Sequence, residues 1–224
     1  MTLDAARPAP RSSEVRPSVD QLLDAQAGLL TREQALATGM AAAEIDERVR
    51  TRRWRPVHPR VYLVRAGAPR PLVDAWAALL RVGAGAVLSG PVAAWWHGLL
   101  AAPPTVLDVT VPPPAGRRAR PRAGLRVHCR ELEAVDVTAV RGLPVTALPR
   151  TVLDAAVLLG PRGAALVDRA VADRIRFGEL IAAHRRMAGA PGSGRAAVVL
   201  ESATSRHLAT RQHPVTPPAN GTRR

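Results

Sequence analysis

The chain has 224 residues, 47% of them apolar, and a formal net charge of +14. That length suits one large or two small domains, and the basic excess favours a polyanion or an anionic surface as partner. A single cysteine, Cys129, excludes an internal disulfide and a cysteine-based zinc site within one chain, and no run of 18 apolar residues offers a membrane span. The N-terminus carries no apolar core of the kind a secretory signal needs, so a cytoplasmic location is expected. All 32 basic residues are Arg. Coding bias explains Arg in place of Lys, but it does not explain the excess over Asp and Glu.

Residues 1–17 are polar and rich in Pro and Arg, and are expected to form a disordered arm. Ser18 caps a predicted helix running to about Ala27, with Leu22 and Leu23 on its apolar face and Gly28 at its end. Thr31 and Gln34 have capping-box spacing and start a second helix over 32–38, which buries Ala35 and Leu36 and closes at Gly39. A third helix is expected over 42–52, with Ile45 and Val49 on one face. Trp54 and Val57 then begin a strand, and residues 61–64 return as its partner. Pro56 and Pro59 confine this pair to an edge hairpin. Helix, turn, helix and a basic hairpin is the order of a winged helix-turn-helix, here placed at 18–66.

Residues 65–70 form the best boundary, and a mixed domain of helices and strands is expected over 71–190. Helix patterns lie at 71–82 and 89–99. Strand patterns lie at 106–111 and 125–130, separated by a Pro-, Gly- and Arg-rich loop at 112–124. Two short strands meet around Arg141 and Gly142. Pro149 opens a helix to about Leu159, and further helices fit 161–174 and 177–188. A short last helix is expected within 191–203, and 204–224 is expected to be a disordered tail. The fold class is therefore α/β or α+β, with a winged helix-turn-helix followed by a mixed α/β domain.

Eight arginines fall within residues 48–70. Arg48, Arg50, Arg52, Arg53, Arg55 and Arg60 are the candidate DNA-binding residues, because a guanidinium forks onto phosphate or guanine. Glu44 with Arg48 and Asp46 with Arg50 have i,i+4 spacing, which neutralises part of this charge. Arg52, Arg53, Arg55 and Arg60 are left uncompensated. Trp54 and Tyr62 are expected beneath the hairpin as core, in preference to stacking on single-stranded bases. None of the six His has a partner at metal-ligand spacing, and His128 and Cys129 point to opposite faces of their strand. Asp108, Glu131, Glu133, Asp136 and Asp154 match no nuclease spacing and read as turn and cap chemistry. G-A-G at 83–85 and G-S-G at 192–194 are lone glycine pairs and read as turns. No metal, cofactor or catalytic set is expected, and so no enzyme activity.

Four segments carry a family resemblance: G-L-L-T-R-E-Q-A at 28–35, W-R-P-V-H-P-R-V-Y at 54–62, G-A-V-L-S-G-P-V-A-A-W-W-H-G-L at 85–99, and L-P-V-T-A-L-P-R-T-V-L-D-A-A at 143–156. In this order the chain resembles the AbiEi-type antitoxins of type IV toxin–antitoxin systems. The resemblance implies a winged helix-turn-helix that represses the system's own promoter. It also implies a second domain that opposes a nucleotidyltransferase-like toxin without a stable complex. It carries operator binding to the helix at 41–52 and the wing at 53–64. It marks Pro149, Arg150, Thr151 and Asp154 as a recurrent motif, with Arg150 structural or toxin-opposing.

Two departures stand out. Ala41 replaces a capping Ser, and three acids lie on the presumed reading helix, which weakens base reading there. The chain also lacks the nuclease-like extension, similar to very-short-patch repair endonucleases, that many relatives carry, which points to a truncated member. The leading function is a DNA-binding repressor and antitoxin. The alternatives are the non-catalytic targeting portion of such an endonuclease-family protein, or a protein-interaction module. An adjacent toxin gene would favour the first of these readings.

Overall fold

The computed structural model describes residues 17–113 and 123–212, the last four by their backbone alone. The expected N-terminal arm up to residue 16, the centre of the 112–124 loop and the stretch 213–224 lie outside the described residues. The chain divides into two compact units, Met1–Ala68 and Pro69–Arg224, each with its own core.

The first unit runs α1 (Val19–Ala25), β1 (Leu29–Thr31), α2 (Arg32–Ala37), α3 (Ala42–Arg50), β2 (Arg55–His58) and β3 (Val61–Leu63). Ser18 with Gln21, and Thr31 with Gln34, form complete capping boxes that satisfy the first free N–H groups of α1 and α2. Ala41 precedes α3 without any side-chain cap. The strands pair antiparallel in the order β1-β3-β2. Strand β1 replaces the simple turn expected between Gly28 and Thr31. Three residues are too few for an alternation to register, yet Leu29 and Leu30 are fully buried. Gly28 is required where β1 begins. Its φ is +80°, and a Cβ there would stand 1.9 Å from the Arg65 carbonyl oxygen. The core gathers Leu23, Leu30, Ala35, Ile45, Trp54 and Tyr62.

The second unit contains α4 (Arg70–Val82), β4 (Val87–Leu88), α5 (Gly90–Trp96), β5 (Leu107–Val111), β6 (Leu125–Cys129), β7 (Val137–Val140), β8 (Leu143–Thr146), α6 (Leu148–Leu159), α7 (Gly163–Asp173), α8 (Phe177–Arg186) and α9 (Ser193–Gln212). Its sheet is mixed, in the order β6-β5-β4-β8-β7. The β5–β6 and β4–β8 pairs are parallel, and the β4–β5 and β7–β8 pairs antiparallel. Strand β4 falls between the turn expected at 83–85 and the helix expected over 89–99, where two residues carry no periodicity. Arg141 and Gly142, at φ 51° and 80°, make the two-residue turn of the β7–β8 hairpin, a geometry that suits its twist.

Leu79, Leu88, Trp96, Val109, Leu143 and Val145 fill one core against the sheet. A second core lies among α6 to α9, around Leu153, Leu166, Val167, Leu180 and Met187. Alanines dominate the remainder and let the elements approach closely. A Cβ on Gly163 would meet the Ala156 carbonyl oxygen at 2.2 Å, so α7 can start against α6 only with glycine there.

The C-terminal boundary differs from the sequence expectation. Helix α9 continues to Gln212, through residues expected to be tail. Ala203 is buried, Arg206 pairs with Asp168 at 3.0 Å, and His207 stacks on Phe177 with ring centroids 4.8 Å apart. These anchors are largely polar or aromatic, so an apolar-period test misses them. The stretch also holds no Pro before Pro214, so nothing in it breaks a helix.

Candidate nucleic-acid interface

The arginines expected to bind DNA separate into two groups in the first unit. Arg48 is half-buried, pairs with Glu44 at 2.5 Å and lies 5.5 Å from the centroid of the Trp54 ring, so it supports the fold. Arg50 pairs with Glu47 and not with Asp46, the partner that i,i+4 spacing named. Asp46 turns to Arg32 and joins α3 to α2. That contact holds the Asp46 carboxyl below its usual range and, with Tyr62, raises the Arg32 guanidinium. Arg60 also departs from expectation, since its guanidinium stands 3.6 Å from Glu33.

Arg52, Arg53 and Arg55 are exposed and have no acidic partner among the described residues. They lie where α3 passes into the hairpin. Beneath them Trp54 is 2% exposed and Tyr62 is 7% exposed, with ring centroids 5.6 Å apart. Both rings are core and unavailable to stack on bases. Trp54 precedes β2 and does not begin the strand.

The second unit holds a charge cluster that sequence reasoning passed over. Arg150, near the start of α6, is 1% exposed. It donates to Asp154 at 3.1 Å and stands 3.8 Å from Asp136. Arg130, just after β6, meets the other oxygen of Asp154 at 3.0 Å, and Arg186 of α8 meets Asp136 at 2.6 Å. Asp108 on β5 accepts from Arg126 at 3.3 Å and contacts the His128 ring at 2.8 Å. Burial pushes the Arg130 guanidinium below its usual value, while Asp154 opposes that shift.

Asp108, Asp136 and Asp154 are therefore buried ion-pair partners, not turn and cap residues; Glu131 and Glu133 are exposed. Among the described residues no group of three His, Cys, Asp or Glu is placed to hold a metal ion. Arg150 therefore holds its guanidinium inside the fold, against Asp154 and Asp136. The signal in the sequence was its setting: Arg150 and Asp154, i,i+4 apart, are the only charges in the otherwise apolar run 148–159.

The rest of the recurrent motif turns on this helix. Pro149 lies in its first turn, where a missing N–H is harmless. Thr151 donates to the Thr146 carbonyl oxygen at 2.7 Å and so ties α6 to β8. The His97 ring contacts the same carbonyl oxygen at 2.8 Å, and burial lowers its pKa.

Residues 84–202 match the family of AbiEi antitoxin C-terminal domains. The chain belongs to this family. Its members are non-catalytic antitoxin domains, paired as a family with a cognate toxin, and family membership gives this chain a non-catalytic, antitoxin-like regulatory role. The RV2827C protein from Mycobacterium tuberculosis has a similar fold in its crystal structure. The similarity has a TM-score of 0.51 at 21% identity and covers 81% of this chain and 74% of that one. No curated protein matches the chain. Among the described residues no helix is long and apolar enough to cross a membrane.

Proposed function

We propose that the chain is a DNA-binding transcriptional repressor and antitoxin of a type IV toxin–antitoxin system, acting in the cytoplasm. The N-terminal unit is read as a winged helix-turn-helix. Its order α1-β1-α2-α3-β2-β3 and its antiparallel β1-β3-β2 sheet support that reading. The observation that carries DNA binding is the set of exposed, acid-free guanidiniums of Arg52, Arg53 and Arg55 beside the hairpin. Arg60 joins them because an exposed pair at 3.6 Å holds it only weakly. Arg48 and Arg50 are engaged by their own acids and contribute little.

The second unit opposes a nucleotidyltransferase-like toxin through its family role, without a stable complex. Arg150, Thr151 and Asp154 shape that unit from inside.

The test is a titration of duplex DNA across salt concentrations. Four phosphate contacts predict that log affinity falls against log salt with a slope of about −3 to −4. Replacing Arg52, Arg53, Arg55 and Arg60 together with Ala should flatten the slope and weaken binding. A slope near zero in the unaltered chain would sink the reading. Co-expression with a toxin from the same gene neighbourhood tests the antitoxin half, and survival only with the intact second unit is the expected result.

A further inference from the structure

We infer that DNA contact is led by the hairpin and reads the minor groove, so that the duplex class favoured is A·T-rich. The inference rests on the DNA-binding reading above and names the part of the duplex it uses.

Helix α3 is poorly equipped to read the major groove. Direct readout there needs Arg or Lys for guanine, Asn or Gln for adenine, or a free carboxylate for cytosine. The exposed side chains of α3 are Ala42, Ala43, Glu44, Asp46, Glu47 and Arg50. Its acids are each held by an arginine: Glu44 by Arg48, Asp46 by Arg32 and Glu47 by Arg50. Docking α3 in the groove would also bring these carboxylates up to the phosphates.

The hairpin has the opposite character. Its tip is Pro59–Arg60, since His58 pairs with Val61 across the turn. Arg60 is half-exposed and has φ 64°, a left-handed backbone that Gly adopts without cost and a side-chain-bearing residue does not. A strained position is a reason to look for function at the side chain that holds it. The Glu33 contact is exposed on both sides, so the guanidinium can exchange it for a nucleic-acid acceptor. Arg52, Arg53 and Arg55 stand nearer the hairpin's base. Arg55 pairs with Leu63, about 10 Å along the strand from the turn. They suit the flanking phosphates while the tip enters the groove. A·T-rich minor grooves are narrow and strongly negative and attract Arg, whereas the guanine amino group changes the floor at G·C.

Inosine separates the grooves, because an I·C pair has the major-groove face of G·C and the minor-groove face of A·T. Fluorescence anisotropy of the full chain on A·T, G·C and I·C duplexes of equal length tests the inference. A·T and I·C should bind alike, and both about tenfold more tightly than G·C, a difference of about 1.4 kcal/mol. Arg60→Gly, which suits the left-handed backbone, should keep the melting temperature and abolish the preference while salt-dependent binding persists. I·C tracking G·C would overturn the inference, as would equal binding of all three, and either result would leave DNA binding itself standing. Failure to bind any duplex would overturn both.

Discussion

In the N-terminal unit the Arg50 side chain is 73% exposed beside Glu47; in the second unit the Arg150 side chain is 1% exposed between Asp154 and Asp136. Both are helical arginines with a carboxylate within one turn, yet the physical consequences diverge. Water screens the first pair, which contributes at most about 1 kcal/mol and leaves its charge open to exchange. The second group lies out of water, where losing one partner strands another ion in a low-dielectric interior. Spacing alone does not distinguish a surface arginine available to a partner from one that the fold consumes.

The largest effect is expected from Arg150→Met. It leaves Asp154 and Asp136 short of a buried partner and should cost about 3 to 5 kcal/mol. In a thermal melt that is a fall of about 6 to 20 °C. Adding Asp154→Leu should not restore the loss, because Arg130 then loses its own buried carboxylate. A single variant that melts like the unaltered chain would show that the buried network contributes nothing.

Trp54→Ala is the counterpart in the first unit. The ring is 2% exposed among Leu30, Ile45 and Tyr62, so its removal should cost about 3 to 5 kcal/mol by chemical denaturation. Retained stability with lost single-strand binding would return Trp54 to a base-stacking role.

Truncation after Ala203 removes the Arg206–Asp168 pair and the His207–Phe177 stack. The expected loss is about 1 to 2 kcal/mol. Truncation after Gln212 keeps both contacts and provides the reference. Equal melting of the two truncated chains would show that the end of α9 does not hold the bundle.

The smallest effect is expected from Glu47→Gln, below about 0.5 kcal/mol in stability. It should nonetheless tighten DNA binding slightly by freeing Arg50. Weaker binding would show that Glu47 positions a contact and does not merely neutralise one.

Much of the fold was legible because its signals are local. Thr31–Gln34 is a capping box whose spacing is visible in the chain and forms as read, and Ser18 caps α1 as expected. The strands at 107–111 and 125–129 have enough length to show themselves, and the β7–β8 hairpin announces its turn at Arg141–Gly142. Strands β1 and β4 did not show: β1 lies between two helix patterns and reads as their turn, and β4 is only two residues long. The end of α9 was missed for a different reason: its anchors are an ion pair to α7 and a ring stack on α8.

The candidate interface was legible as a density of arginine and illegible in its detail. Sequence spacing assigned Arg50 to Asp46 and left Arg60 uncompensated, but Asp46 lies against Arg32 of another helix and Arg60 near Glu33. By itself the sequence determined the helix caps, the turn, the order of elements, the family and the position of the basic run, all written within a few neighbouring residues. Tertiary structure decided which charges are free and which are consumed. Arg130, Arg150 and Arg186 come from the residue after β6, from α6 and from α8, and meet acids far from two of them in the chain. An ion pair depends on distance and on exclusion of water, and neither quantity exists until the chain has folded.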